Sequence, residues 1–286
     1  MSGSCPGTRL PVDDVRRDES CPHRRRSGWL SRALPSSDGA MDDIDPLRPL
    51  APCLAVVGAG GACGASTLTT ALTVTASRAG WSAVAVDADP WGGGLDNLFD
   101  LAADPGVRWP DLLGSDGALP AQPLLDRLPT TDSGAHVVAC DGPDPIPPGR
   151  LREVIAACRR ASDVVVVDLP RDLALAEVAL DVATALIVVT APDRRVLVVT
   201  EQLVGYAQAV APDLPLGFVV RDTREHVAQQ IARISDVPLL GVLAHDRKLD
   251  QRQSSPAVPG DNARSAVTAL AASLLRDLVV ERRLVS

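Results

Sequence analysis

Gly58-Ala59-Gly60-Gly61-Ala62-Cys63-Gly64-Ala65-Ser66-Thr67 is the stretch that decides the fold. The apolar run Cys53 to Val57 precedes it, and a helix predicted over Ser66 to Ala79 follows. Strand, glycine-rich turn and helix in that order make a phosphate-binding loop. In the usual G-x-x-x-x-G-K-[ST] pattern, main-chain N–H groups cradle phosphates, the lysine contacts the β and γ oxygens, and the Ser/Thr hydroxyl binds Mg²⁺. Gly64 and Ser66 hold their places here, but Ala65 stands where the lysine belongs. The first glycine is also out of register, since Ala59 sits five residues before Gly64 and Gly58 sits six. The chain's only lysine is Lys248, far downstream.

A charge-assisted hydrogen bond contributes about 1.5–3 kcal/mol, so losing the lysine weakens nucleotide binding by about one to two decades. What remains is a helix N-terminus with unpaired N–H groups, still an anion site. Binding therefore survives more readily than stabilisation of a γ-phosphoryl transition state. An arginine from elsewhere in the chain is a candidate substitute.

Two further segments end in carboxylates. Trp81-Ser-Ala-Val-Ala-Val-Asp87 reads as a buried strand and runs into Ala88-Asp89-Pro90, followed by Gly92-Gly93-Gly94. Val164-Val-Val-Val167-Asp168-Leu-Pro170 is a strand buried on both faces, with Asp168 at its C-terminal end. Ligands of open α/β sheets bind at that edge, where a Walker-B aspartate supports Mg²⁺. The plainer reading of Asp168 is a turn or helix-capping carboxylate.

The rest alternates: a strand at His136 to Cys140, a helix over Arg150 to Ala161, helix 172–182, strand Ala185 to Thr190 and helix 194–210. Strand Leu216 to Val220, helix 224–234, strand Leu239 to Ala244 and a terminal helix close the series. This pattern predicts an α/β fold, a doubly wound and mostly parallel sheet of the P-loop NTPase type. Residues 51–286 form that domain and residues 1–50 a disordered extension, with Met41 a reasonable alternative start. Residues 102–134, rich in Pro, Asp and Gly, are expected as an irregular insertion over the nucleotide site.

Composition excludes several classes. The net charge of −8 argues against a generally basic nucleic-acid surface. No stretch reaches the apolar length of a membrane span, and no secretory leader is recognisable, so the expected location is cytoplasmic. The six cysteines show no CxxC pair. Cys53, Cys140 and Cys158 read as small core residues. Cys63, beside a helix N-terminus that would lower its pKa, reads first as a small side chain in a tight loop and second as a redox switch.

Gly60-Gly61-Ala62-Cys63-Gly64-Ala65-Ser66-Thr67, Val86-Asp87-Ala88-Asp89-Pro90 and Val164 to Pro170 together resemble the deviant-Walker ATPases of the MinD/ParA group. Gly64-Ala65-Ser66-Thr67 is similar to the CpaE-like branch. The segment Asp89-Pro-Trp-Gly-Gly-Gly-Leu-Asp-Asn97 resembles the helicase/secretion-neighbourhood CpaE-like proteins, which include actinobacterial septum site-determining (Ssd) proteins. So do Val107-Arg-Trp-Pro-Asp-Leu112, Val167-Asp-Leu-Pro-Arg171 and Pro238-Leu-Leu-Gly-Val-Leu243.

The resemblance implies binding of ATP or ADP with Mg²⁺ by Gly60, Gly61, Ala62, Cys63, Gly64, Ala65, Ser66 and Thr67. It places the Ser66 hydroxyl on the metal, with Asp87 and Asp168 as supporting carboxylates, and makes Asp89 the group that orients an attacking water. The family's signature lysine, early in the loop, has no counterpart among Ala59, Gly60 and Gly61. With Ala65, that departure implies at most a slow ATPase and weakens the case for a nucleotide-sandwich homodimer. The implied role is regulation of septum placement and cell division through partner proteins, without nucleic acid. Two alternatives stand beside it: a nucleotide-independent scaffold, and a CpaE-type localisation factor for a Tad pilus or secretion system. The terminal stripe Val267, Leu270, Leu274, Leu275, Leu278 and Val279 reads as a closing helix packed on the sheet in preference to a membrane-binding one.

Overall fold

The structure is a computed structural model that describes residues 49–114, 118–245 and 257–285, without the side chains of 278–285. Met41, Cys5, Cys21 and Lys248 lie outside the described residues, as does most of the 1–50 extension.

Seven strands form one sheet: β1 (Cys53–Gly58), β2 (Ala83–Asp87), β3 (Ala135–Val138), β4 (Val164–Leu169), β5 (Ala185–Thr190), β6 (Leu216–Arg221) and β7 (Leu239–Leu243). Their order is β3-β2-β4-β1-β5-β6-β7, and every neighbouring pair is parallel. The doubly wound α/β architecture read from the alternating pattern is therefore the observed one. Among the described residues the helices are α1 (Ala65–Arg78), α2 (Leu95–Leu98), α3 (Trp109–Leu113), α4 (Ala121–Leu125) and α5 (Pro148–Ala161). They continue with α6 (Leu173–Val182), α7 (Arg194–Val210), α8 (Glu225–Ile234) and α9 (Ala266–Val285).

The period of two along each strand divides the core. Cys53, Ala55 and Val57 of β1 face one layer with Leu151 and Val154 of α5 and Ala179 of α6. Leu54 and Val56 face the other with Leu68 and Leu72 of α1 and Val267, Ala271 and Leu274 of α9. Val164 to Val167 are fully buried, as a strand covered on both faces demands. The described part of α9 thus closes the sheet beside α1. No described helix is long and apolar enough to cross a membrane.

Residues 102–134 differ from the expected insertion over the site. Val107, Trp109, Leu112, Leu119, Leu124 and Leu128 are buried in the layer shared with α5. Burying these apolar side chains outweighs the turn-rich composition around them. Beneath the turn after α2, the Arg108 guanidinium donates to Asp96 at 3.0 Å and to the carbonyls of Leu101 at 2.9 Å and Asp104 at 3.1 Å. This ion pair is almost wholly buried and ties residues 96–111 into one unit.

Candidate functional site

β1 lies between β4 and β5, so its C-terminal end opens where the chain's crossovers diverge to either side of the sheet. The Ala59 amide donates to the Val189 carbonyl at 2.9 Å and carries the β1–β5 pairing one residue past the strand. The chain then turns through Gly60 to Gly64 into α1. A Cβ on Gly60 would come within 2.9 Å of Val196 Cγ2, so α7 presses directly on the loop.

Gly64 caps α1 with φ of 95°, a left-handed conformation that suits glycine. It offers no side-chain cap, and the first turn of α1 holds no acidic residue. The leading N–H groups of α1 therefore have neither a capping oxygen nor a competing carboxylate, and they face the cleft. That is the electrostatic arrangement an anion requires.

The cleft has a volume of about 770 Å³. Gly60, Gly61, Ala62, Cys63, Gly64, Ala65, Ser66 and Thr67 all line it, together with Asp89 and Asp168. Ser66 and Asp168 line the cleft together, with the Ser66 hydroxyl near enough to the Asp168 carboxyl to favour its charged form. Burial pushes that carboxyl up to about 7; the nearby Ser66 hydroxyl opposes the shift, while the charges of Asp87 and Asp89 add to it. A hydroxyl and a buried carboxyl lining the cleft at the loop's end fit a hydrated Mg²⁺, which favours few protein oxygens alongside phosphate and water.

Asp87 departs from its expected place in a metal set. It is absent from the cleft lining, and its carboxylate accepts N–H bonds from Asp89 at 3.1 Å, Leu95 at 2.9 Å and Cys140 at 3.4 Å. Trp109 Nε1 donates to the Asp87 carbonyl at 2.5 Å. The residue organises the 87–95 loop, and its oxygens are spent on main-chain donors. Burial still pushes its carboxyl up to about 6, against those three bonds.

Asp89 projects at the cleft's other wall, where its carboxylate accepts from the Trp91 amide at 3.1 Å. Trp91 is 80% exposed and lines the same cleft. Cys63 is buried, and its thiol is pushed up. Desolvation outweighs the opposing Gly60 hydrogen bond and the charges of Arg221 and Arg171. The lowered pKa expected from the helix N-terminus is thus reversed, and the small-side-chain reading of Cys63 fits the packing.

Two cleft residues escaped the reading of the sequence as site residues. Arg171 follows β4 by two positions, and Arg221 ends β6. The Arg221 guanidinium donates from Nη1 to the Ala62 carbonyl and from Nε to Asp222 at 3.0 Å. Arg171 appeared only inside a quoted motif, and Arg221 carried no local signal because sheet order alone brings it to the loop.

Several solved structures share this fold. The MinD cell division protein of Aquifex aeolicus superposes with a TM-score of 0.64 at 15% identity, covering 80% of this chain and 97% of that one. The septum site-determining protein MinD of Pyrococcus horikoshii, complexed with Mg-ADP, gives 0.61 at 20% identity, over 79% and 96%. A ParA family ATPase from Chlorobium tepidum gives 0.61 at 17% identity, over 79% and 98%. The fold is that of the MinD/ParA P-loop ATPases. Two uncharacterized proteins of Mycobacterium tuberculosis, from strains CDC 1551 and H37Rv, are 33% identical over 182 residues. That match covers 63% of this chain and 51% of theirs, so the chain spans about half the length of the curated relatives it matches. No protein-family model matches the chain.

Proposed function

We propose that the chain is a nucleotide-binding regulator of the MinD/ParA and CpaE-like kind, acting in septum placement and cell division, with ATP hydrolysis weak or absent. The observation that carries this reading is the uncapped start of α1 behind Gly64, opening into the cleft that Ser66 and the buried Asp168 carboxyl line. Main-chain amides of residues 60–67 hold the phosphates, and Asp89 orients water. Ser66 and Asp168 are the residues that would hold a magnesium ion, which would neutralise phosphate charge there. The output is engagement of a partner protein in the cytoplasm that depends on the nucleotide state. The fold shared with MinD proteins, one of them with Mg-ADP, supports this reading without assigning the partner.

Ala65 favours a second reading, a scaffold that keeps the fold and binds no nucleotide. A CpaE-type role at a pilus or secretion apparatus is the remaining alternative, and pilus ATPase and pilin genes beside this one would support it. Thermal unfolding with and without MgADP tests the main proposal. Ligand at a hundred times Kd adds about 2.7 kcal/mol of stability. Millimolar nucleotide that leaves the transition unmoved selects the scaffold. Turnover of ATP above that of a Ser66→Ala, Asp89→Asn double variant would show that the phosphate bond is also cleaved.

A further inference from the structure

We propose that Arg171 and Arg221 supply the phosphate-binding charge that the loop's missing lysine would carry, gripping the polyphosphate from opposite walls of the cleft. This rests on the reading of residues 60–67 as a phosphate site and adds to it the source of the cations. The sheet order brings both strand ends to the loop. β4 and β6 flank the β1–β5 pair, so Arg171, two residues past the end of β4, and Arg221, the last residue of β6, stand on either side of the loop that leaves β1. Both arginines line the same cleft as Gly64 and Ser66.

Their environments differ in a way that assigns them different tasks. Arg221 is anchored: Nη1 holds the Ala62 carbonyl and Nε holds Asp222. A guanidinium carries five N–H donors, so two are engaged and three remain for a ligand. Arg221 thus braces the loop and still presents donors to what the loop binds. Arg171 is exposed and makes no hydrogen bond or ion pair with a described residue. The adjacent carboxylate, Asp172, is occupied in capping α6 through the amides of Ala174 and Leu175. An unpaired cation beside an uncapped helix N-terminus is a poor arrangement for the empty protein and a good one for an anion. The charges of both arginines already reach the middle of the loop, where each pulls the Cys63 thiol down against the stronger effect of burial.

The geometry accounts for a loop that can dispense with lysine. An arginine fork suits phosphate oxygens in pairs, whereas lysine offers a single charge point. The test is calorimetric titration of the whole chain with tripolyphosphate and, separately, with MgADP. Arg171→Gln and Arg221→Gln should each weaken tripolyphosphate and MgADP about ten- to a hundredfold. Arg171→Lys, which keeps the charge and loses the fork, should fall between wild type and Arg171→Gln. Tripolyphosphate affinity unchanged in both glutamine variants overturns the proposal, and the nucleotide reading survives if the wild type still binds MgADP. Equal losses in Arg171→Lys and Arg171→Gln overturn it too, because the charge would then contribute nothing. Arginine-dependent binding of tripolyphosphate without any binding of MgADP upholds the proposal and ends the nucleotide reading. A wild type that binds neither ends both.

Discussion

Asp87 and Asp168 are register partners at the ends of β2 and β4, and burial pushes both carboxyls up, to about 6 and about 7. An unfolded aspartate titrates near 3.9. The fold therefore favours the protonated forms. The stability this contributes is complete below the unfolded value and is lost as pH rises through about 6 and then about 7. Asp168→Asn should accordingly be more stable than wild type at pH 8, by on the order of 1–3 kcal/mol, and should match it near pH 4. Thermal unfolding across that range checks this, and a difference independent of pH contradicts the assignment. Metal binding requires the carboxylate. MgADP should therefore bind wild type more tightly at pH 8 than at pH 6, while Asp168→Asn shows no such gain.

Restoring the lysine addresses the loop register directly. Ala65 is the first residue of α1, immediately before Ser66, and it lines the cleft. Ala65→Lys should tighten ATP binding about tenfold or more, the contribution of one charge-assisted bond. Titration of both proteins at equal ionic strength measures it. Unchanged affinity means that position 65 does not point at phosphate.

The strands and the loop were legible because their signals are local. Four consecutive β-branched valines ending in Asp-Leu-Pro read as a strand buried on both faces, and Asp168 at their end marks the ligand edge. Residues 102–134 were not legible, since their proline and glycine content signals turns while Trp109 and Leu112 bury through long-range packing. Asp87 was placed among the metal carboxylates by the family resemblance of Val86 to Pro90. Only the folded loop reveals that three amides take its oxygens. Arg221 reaches Ala62 across 159 positions of sequence, a distance over which no motif operates.

The Arg108–Asp96 pair gives the 96–111 unit a measurable signature. Removing one partner of a buried ion pair leaves an uncompensated charge, which costs about 3–5 kcal/mol. Asp96→Leu and Arg108→Met should each fall in that range by urea denaturation. The double variant should cost less than the two singles combined, because no buried charge remains. Full additivity would show that the two side chains act independently, and the carbonyls of Leu101 and Asp104 would then be the guanidinium's principal partners.

Two glycines of the loop should respond to alanine very differently. Gly64 has φ of 95°, and a Cβ there would lie 2.8 Å from Leu243 Cδ2 on β7. Gly61 is exposed, and a Cβ there would meet nothing within 4 Å. Gly64→Ala should therefore destabilise by about 1–3 kcal/mol, the cost of a left-handed alanine plus displacement of the leucine. Gly61→Ala should stay within about 0.5 kcal/mol of wild type. Gly64 also sets the direction in which α1 leaves the loop, so its variant should lose tripolyphosphate affinity together with stability. Urea midpoints and tripolyphosphate titrations of the two variants decide the matter. Equal midpoints would mean that the loop does not turn through a left-handed residue at Gly64, and the aim of the α1 amides at a phosphate would go with it.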